Sequence, residues 1–264
     1  MRTLFEGQPL NGLCIAVTRP EVQARVLMAG FRELGAKPLG CPTIRIEEPA
    51  DRSQVERAVR HLNDYDWVVF TSVNGVTRFW DELVRSGGDG SWPAGPRLAA
   101  IGPATAGALI ERGIRPEVVP AVYVAEAVAE TLAEFDLAGQ RVLLPRAAGA
   151  RAVLPERLRA AGARVDDVVA YVSSPEPEGI ARLRSSLERD VVDMITFTAP
   201  STVRHFVEAA GADMGRARVA AIGPVTAESA RALGVRVDTV AEDYTVHGLL
   251  RAVCEFYAAG GVGS

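Results

Sequence analysis

The sequence predicts an α/β protein made of two similar doubly wound lobes, each with a parallel sheet covered by helices on both faces. Three observations carry this prediction: the chain repeats itself once, short apolar segments alternate with helical patterns, and Gly/Pro-rich turns follow the apolar segments. The copies are 127 positions apart at Arg19 and Arg146, and 121 apart at Tyr123 and Tyr244. A repeat of this length has the size of a small domain, so we expect a binding cleft between two lobes.

Each copy opens with a short apolar strand and an amphipathic helix. The strands are predicted at 13–18 and 141–145, and the helices that follow are predicted to end at Gly35 and Gly162. Glycine just past a periodic apolar segment is a helix stop, because it adopts the left-handed conformation without strain. Second strands are predicted at 38–46 and 164–173.

The remaining strands of each copy lead into turns rich in small and hydroxylated residues. The most apolar segments, 67–70 and 194–197, are predicted as third strands. Short apolar strands separated by helices indicate parallel sheets buried on both faces. Fourth strands are predicted at 98–101 and 219–222, and short fifth strands around Val118 and Val237.

Two acidic, proline-containing segments interrupt this pattern at equivalent places. We predict that residues 45–51 and 172–178 are connectors that cross between the lobes and form a two-stranded hinge, because proline there disfavours helix and favours extended chain. The lobes then differ from the repeats. One lobe is predicted to be discontinuous, at 12–44 plus 179–257, and the other continuous, at 52–171.

Composition and charge exclude several kinds of partner. A net charge of -4, with 29 scattered Lys and Arg residues, gives no basic surface for a nucleic acid backbone. About 18 consecutive apolar residues are needed to span a membrane, and none occur; residues 1–9 also contain no apolar stretch of signal-peptide length. We therefore expect a cytoplasmic protein that contacts neither nucleic acid nor membrane.

The common cofactor motifs are missing from the sequence. There is no GxGxxG after the first strand, no GxxxxGK[ST] loop and no GxSxG elbow, which argues against dinucleotide, P-loop and hydrolase functions. The three histidines and three cysteines are scattered without ligand spacing, so no metal site or disulfide framework is predicted.

Candidate binding residues lie in the loops that recur in both copies. In an open parallel sheet, ligands bind beyond the carboxyl ends of the strands, where helix N-termini present unpaired N–H groups. The alternative is that these residues only cap helices, each stabilising its helix by about 1 kcal/mol, but capping does not require whole loops to recur. The candidates are Ser72, Asn74, Thr105, Ser201 and Thr226.

Two arginines and one tyrosine are further candidates. Arg19 and Arg146 end equivalent strands, and each either binds a carboxylate or forms an ion pair with a helix glutamate such as Glu21. Tyr171 ends a strand just before a connector, where it either packs half-buried or donates a proton or hydrogen bond. The neighbouring acidic residues 166–167 are expected to form a solvated face, and a ligand contact by His247 stays open.

A set of motifs in a fixed order resembles the uroporphyrinogen-III synthase family. The resemblance covers about residues 12–250, and one departure from the family pattern is Ala199, where a serine is common. The motifs are VTRP at 17–20, FTSVNGV at 70–76, AIGPATA at 100–106, Tyr171, FTAPSTV at 197–203, AIGPVTA at 221–227 and YTVHGL at 244–249.

The resemblance implies a lyase of haem biosynthesis that needs no cofactor. Its substrate would be hydroxymethylbilane, a linear tetrapyrrole with eight carboxylates, which is cyclised with loss of water and inversion of ring D. Tyr171 would assist departure of the hydroxyl, and Arg19 and the five loop residues would position the carboxylates. We further expect a monomer that makes a transient contact with the preceding enzyme of the pathway.

Two other classes of protein remain as alternatives. A two-lobed, non-enzymatic binding module for an anionic small molecule would share the lobes, but the chain has no basic helix for reading DNA. A two-lobed glycosyltransferase would usually show an acidic metal or nucleotide-sugar site, and the sequence shows none.

Overall fold

The computed structural model describes residues 7–87 and 90–260, which form two compact units. In these residues, unit 1 is built from 7–45 together with 174–260, and unit 2 from 46–173. The prediction that residues 1–9 contain no apolar stretch of signal-peptide length falls largely on residues 1–6, which lie outside the described residues. None of the helices in the described ranges is long and apolar enough to cross a membrane.

Strands and helices alternate along the chain. The first copy of the repeat contains β1 (Cys14–Val17), α1 (Glu21–Glu33), β2 (Lys37–Gly40), β3 (Ile44–Glu47), α2 (Ser53–Arg60), β4 (Trp67–Phe70), α3 (Val73–Arg85), β5 (Arg97–Ala100), α4 (Pro103–Ile110) and α5 (Ala125–Leu132). The second contains β6 (Arg141–Ala147), α6 (Val153–Ala160), β7 (Arg164–Pro175), α7 (Pro177–Glu188), β8 (Met194–Phe197), α8 (Pro200–Ala210), β9 (Arg218–Ala221), α9 (Pro224–Ala232), β10 (Thr239–Val240) and α10 (Val246–Ala258).

Each unit takes strands from both copies of the repeat. The sheet of unit 1 has the order β10-β9-β8-β1-β2, and the sheet of unit 2 has the order β3-β7-β6-β4-β5. Both are built on parallel pairs. Ile15 lies opposite Met194 in unit 1, and Val142 opposite Trp67 in unit 2. Ile15 and Val142 are equivalent positions of the repeat, and so are Trp67 and Met194. The central strands of the two sheets are therefore paired in the same register.

Each sheet is covered by a hydrophobic core on both faces. Along β4, Val68 and Phe70 pack into one core of unit 2, while Trp67 and Val69 pack into the other. Unit 1 is arranged in the same way, with two separate clusters of buried side chains that meet on alternate residues of β1 and β8. A strand buried on both faces must be apolar at every position, which explains the continuous apolar runs in the sequence. The prediction of two doubly wound parallel sheets is confirmed.

The structure departs from the sequence prediction at the second and fifth strands. The strand predicted at 38–46 is divided into β2 and β3 by residues 41–43, where Pro42 has no N–H to donate to a neighbouring strand. Val118 forms only an isolated bridge with Ala99, and β10 begins two residues beyond Val237. Pro177, inside a segment predicted to be an extended connector, instead begins α7, since proline is well tolerated in the first helical turn.

Two glycines end helices as predicted, and a third permits a close contact. Gly35 and Gly162 have φ of +90° and +92°, in the left-handed region, and each follows a helix. Gly179 lies in α7 against the loop between β2 and β3, where a Cβ at this position would be 1.9 Å from the carbonyl oxygen of Pro42. The packing of α7 on this loop therefore requires glycine.

Candidate functional site

The sequence-predicted site residues follow neighbouring strands at the carboxyl edge of each sheet. In unit 1, Thr226, Ser201 and Arg19 come after β9, β8 and β1, which are adjacent in the sheet. The corresponding set of unit 2 follows β5 and β4 or lies towards the ends of β6 and β7: Thr105, Ser72, Asn74, Arg146 and Tyr171. This is the edge at which ligands bind in open parallel sheets.

Ser72 and Tyr171 meet in unit 2. Ser72 is the N-cap of α3, and its hydroxyl oxygen accepts a hydrogen bond from the backbone N–H of Gly75 at 2.9 Å. The same oxygen lies 3.0 Å from the phenolic oxygen of Tyr171, and either group can be the donor of this bond. Ser72 is thus a helix cap and also a hydrogen-bond partner of Tyr171, and its contact with a ligand stays a prediction.

Tyr171 is a buried, protonated phenol. Its side chain lies in β7 and only 7% of the residue is exposed. Burial raises the pKa of Tyr171 above the ordinary value for tyrosine, and hydrogen bonds with Ser72 and Asn74 oppose this rise without cancelling it. Since a tyrosine with a raised pKa keeps its proton at neutral pH, Tyr171 can donate a hydrogen bond or a proton but is a poor base.

Thr105 and Thr226 occupy equivalent positions in the first turns of α4 and α9. They are 3% and 4% exposed, and within the described part of the chain neither hydroxyl has a hydrogen-bond partner. Each follows a Gly-Pro turn, and the first helical hydrogen bonds are donated by the residue after it: Ala106 to Gly102 at 2.9 Å and Ala227 to Gly223 at 3.1 Å. The preceding N–H groups remain available, so each helix start offers a hydroxyl together with backbone donors.

The same two turns carry a pair of tyrosines that the sequence analysis did not assign to the site. A Cβ added to Gly102 would be 2.9 Å from Cγ of Tyr123, and a Cβ added to Gly223 would be 3.1 Å from Cγ of Tyr244. Both glycines therefore allow a half-buried aromatic ring to lie directly against a helix start. The recurrence of Tyr and Gly in both copies was the sequence signal for this contact.

Ser201 and Ala199 show how the copies have diverged after the third strand. Ala199 is the N-cap of α8 and has no side-chain hydrogen bond, whereas its repeat equivalent Ser72 caps α3. Ser201, the equivalent of Asn74, is half-buried in the first turn of α8, and its hydroxyl has no partner among the described residues. Unit 1 therefore keeps one hydroxyl of this loop available and lacks the other.

Arg146 is not available for a ligand. Its side chain is 7% exposed and is bound by both carboxylate oxygens of Asp167: Nε donates at 2.8 Å, and Nη2 donates to the second oxygen. A third donor reaches the carbonyl oxygen of Arg151 at 2.7 Å. Asp166 and Asp167 are both exposed, as predicted for a solvated face, and both also have partners: Asp167 neutralises this buried guanidinium, and Asp166 accepts a hydrogen bond from Tyr65 at 2.8 Å.

Arg19 is the repeat equivalent of Arg146 but lacks the carboxylate. The position that corresponds to Asp167 is Gly40, which pairs with Val17 as Asp167 pairs with Leu144. Within the described ranges Arg19 forms no ion pair, including with Glu21, and burial lowers its pKa. An arginine keeps its charge even when its pKa is lowered, so Arg19 is a half-buried, unpaired cation at the carboxyl end of β1.

The groups at the carboxyl edge of each sheet are mostly hydrogen-bond donors. The donors are an unpaired guanidinium, a neutral phenol, and hydroxyl and N–H groups at helix starts, all of which suit carboxylates. His247, whose role stayed open, is exposed in the first turn of α10. No cluster of His, Cys, Asp and Glu with metal-binding geometry occurs in the described segments. The fold is that of two-unit α/β proteins in which polar side chains and helix starts lie at the carboxyl ends of parallel strands.

Comparison with known proteins specifies the family. The family model for uroporphyrinogen-III synthase HemD matches residues 25–251. The chain is 31% identical over 256 residues to the uroporphyrinogen-III synthase of Synechococcus elongatus, covering 93% of this chain and 96% of that protein. It is 34% identical over 248 residues to a putative uroporphyrinogen-III synthase of Methanothermobacter thermautotrophicus, covering 90% and 96%. The chain therefore belongs to the uroporphyrinogen-III synthase family.

Solved structures agree with this assignment. A mutant uroporphyrinogen III synthase from the extremely thermophilic bacterium Thermus thermophilus is similar with a TM-score of 0.66 and 25% sequence identity, over 94% of this chain and 100% of that chain. The uroporphyrinogen-III synthetase of Helicobacter pylori, at 16% identity and a TM-score of 0.56, shares the fold. The family resemblance predicted from the sequence motifs is confirmed.

Proposed function

We propose that this protein is a uroporphyrinogen-III synthase, which cyclises hydroxymethylbilane with loss of water and inversion of ring D. The observation that carries the proposal is the protonated phenol of Tyr171, held beside Ser72 at the carboxyl edge of a sheet in a member of this family. A buried neutral donor at this edge suits a reaction in which a hydroxyl group must leave.

Tyr171 acts on the leaving group. As the terminal hydroxyl of the substrate departs, the carbon–oxygen bond breaks and negative charge grows on the oxygen, which the phenol of Tyr171 stabilises by donating its proton or a hydrogen bond. The adjacent pyrrole gives up its N–H proton, so water is released and a neutral azafulvene remains. The substituted carbon of ring D attacks this azafulvene, and a spiro intermediate rearranges to the inverted ring.

The other site residues hold the substrate in its reactive conformation. Closure without an enzyme gives the uninverted isomer, so positioning is the main contribution expected of the protein. The hydroxyls of Thr105 and Thr226, with the N–H groups of their helix starts, bind acetate and propionate arms, and Arg19 binds a further carboxylate. Each charge-assisted hydrogen bond contributes about 1.5 to 3 kcal/mol. Ser72, Asn74 and Ser201 complete the set.

The proposed reaction is a dehydration, which makes the enzyme a lyase, and no step requires a metal or nucleotide. Monomeric state, cytoplasmic location and contact with the preceding enzyme of the pathway stay predictions from the sequence. So do the lobe bounds at 12–44 plus 179–257 and at 52–171, and the hinge role of 45–51 and 172–178.

The test is the identity of the product isomer. The purified protein is incubated with hydroxymethylbilane, with and without a chelator, and the products are oxidised and separated by chromatography. We expect uroporphyrin III in both reactions, and only the uninverted isomer with heat-denatured protein. If the native protein gives the uninverted isomer at every concentration, the proposal is wrong; tight binding of the substrate without a change of isomer would indicate the non-enzymatic alternative.

A further inference from the structure

A groove lies in unit 2 at the amino ends of β6 and β7, the opposite edge of the sheet from Tyr171. It has a volume of about 750 Å³ and is bordered by α2, by the end of α6 and by the first residues of β7. This volume is within the range of about 300 to 1,000 Å³ that is typical of small-molecule sites. Tyr65, 6% exposed, and the buried residues Ala58 and Val168 form its floor.

Every carboxylate of the groove already has a cationic partner within the unit. Asp64 lies 3.5 Å from a guanidinium nitrogen of Arg141 and 3.3 Å from Nδ1 of His61. Asp166 accepts hydrogen bonds from the hydroxyl of Tyr65 at 2.8 Å and from Arg141 at 3.2 Å. The guanidinium of Arg141 also lies 4.8 Å from the centre of the Tyr65 ring. The third carboxylate, that of Asp167, neutralises Arg146 beneath.

Two arginines of the groove keep their charge unpaired. Arg57 on α2 and Arg159 at the end of α6 line the groove, and neither forms an ion pair within the described segments. Arg159 donates a hydrogen bond to the carbonyl oxygen of Val165 at 3.2 Å, which holds the side chain beside β7. Arg57 helps to lower the pKa of Asp51, although hydrogen bonding by Ser53 is the main cause of that shift. The three arginines and three aspartates of the lining balance in number, so the positive charge is local to Arg57 and Arg159 and is not a net excess of the groove.

The repeat provides an internal comparison. The arginine equivalent to Arg57 is Arg184 in unit 1, which is paired at 3.0 Å with Glu188; the position equivalent to Glu188 in unit 2 is His61. The polar network of the groove also has no counterpart in unit 1. The positions in unit 1 that correspond to Tyr65, Arg141 and Asp166 are Val192, Cys14 and Leu39. The same fold is thus built without these polar groups, which are a feature of unit 2 that the fold does not require.

We infer that this groove is a second binding site, which takes a small polyanion with carboxylate or phosphate groups between Arg57 and Arg159. The network of Tyr65, Asp166 and Arg141 keeps the groove polar. Guanidinium groups bind both kinds of anion through paired N–H donors, so the chemistry shared by the two is what the groove recognises. The site lies at the opposite edge of the sheet from the candidate active site and does not depend on the proposed function.

The test is titration calorimetry of the full chain at low ionic strength, with citrate as the carboxylate probe and pyrophosphate as the phosphate probe. The double variant Arg57→Gln/Arg159→Gln removes both unpaired charges. The matched control is Arg32→Gln/Arg184→Gln, which changes the equivalent positions of unit 1. We expect the Kd of at least one probe to rise about 10-fold or more in the first variant and to change less than about two-fold in the control.

The outcomes separate the two anion sources and the two sites. Binding of citrate alone identifies carboxylate ligands, and binding of pyrophosphate alone identifies phosphate ligands. The inference is overturned if neither probe binds, if the two double variants weaken binding equally, or if Arg19→Gln abolishes it, because the anion would then be bound elsewhere. Urea unfolding of each variant verifies that the exposed arginines have been replaced without loss of the fold.

Discussion

Arg146 is paired with Asp167, whereas its repeat equivalent Arg19 has Gly40 in the place of that aspartate. The two arginines end equivalent strands of sheets with the same register, so the difference between them is one carboxylate. In unit 2 the guanidinium is buried and neutralised. In unit 1 it remains charged and has no ion-pair partner in the described ranges, which leaves it for a ligand.

This relationship predicts that Gly40→Asp will weaken substrate binding without changing Arg19 itself. A carboxylate at position 40 should pair with Arg19 as Asp167 pairs with Arg146, and we expect KM for hydroxymethylbilane to rise about 10-fold or more. Steady-state kinetics measure the effect. Gly40→Ala is the control, because its methyl group would meet Cε of Met28 at 3.7 Å, an ordinary contact. Equal effects of the two variants would exclude a charge-pairing mechanism.

Tyr171→Phe is predicted to slow the reaction while leaving the product isomer unchanged. The change removes the hydroxyl that is proposed to stabilise the leaving group and keeps the ring that packs in unit 2. We expect kcat to fall about 10-fold or more, which corresponds to about 1.4 kcal/mol of barrier, with little change in product affinity. The isomer should still be III, since the carboxylate contacts remain.

The control for Tyr171→Phe is Tyr257→Phe in unit 1, which removes a phenol that donates to the carbonyl oxygen of Asp193 at 3.3 Å. It should alter stability slightly and the rate not at all. Wild-type turnover in Tyr171→Phe would show that Tyr171 only packs and that conformational positioning alone accounts for catalysis.

Replacing Thr105 or Thr226 with valine is predicted to weaken substrate binding without loss of stability. Each hydroxyl is nearly buried and has no hydrogen-bond partner in the described part of the protein, so its removal breaks no internal bond. The matched control is Thr196→Val, whose buried hydroxyl donates to the carbonyl oxygen of Ala16 at 3.0 Å. That variant should lose about 1 kcal/mol of unfolding free energy in urea. A comparable loss in the Thr105 and Thr226 variants would contradict the assignment.

Gly179→Ala is predicted to destabilise unit 1. The added Cβ would be 1.9 Å from the carbonyl oxygen of Pro42, so α7 or the loop before β3 must move, at a cost of at least about 2 kcal/mol. Gly107→Ala in α4 is the control, since a Cβ there meets nothing within 4 Å. Alanine in a helix is about 0.5 to 1 kcal/mol more favourable than glycine, so this variant should unfold at higher urea concentration.

The sequence was sufficient for the fold class because the repeat indicates two similar units and the continuous apolar runs indicate strands buried in parallel sheets. Apolar runs such as Trp67–Phe70 indicate buried parallel strands, and the glycines at 35 and 162 marked helix ends. The break at Pro42 was missed because a proline next to apolar residues is also compatible with an edge strand. Boundaries of the shortest strands depend on single hydrogen bonds, which the residue pattern does not encode.

The positions of the candidate site residues could be predicted from the sequence, but the ion pairing of the two arginines could not. The recurrent loops located Ser72, Thr105 and Thr226 at strand ends, because loop position follows from the fold. Whether an arginine is free depends on one residue of a neighbouring strand, as Asp167 and Gly40 show, and that residue is distant in the sequence. An alignment of the two copies at these positions contains this signal, since it sets a carboxylate opposite a glycine.

The exchange of strands between the two copies also determines the order in which the protein can fold during its synthesis. Unit 2 is one continuous segment, Ile46–Ser173, and is complete as soon as that segment has left the ribosome. β1 and β2 are translated first, but β1 must wait for its partner β8, which ends at Phe197. At about 5 to 20 residues per second, synthesis from Val17 to Phe197 takes roughly 9 to 36 s. During that time the nascent chain carries the apolar strand β1 without its partner β8, and this strand is the segment that a chaperone would be expected to protect.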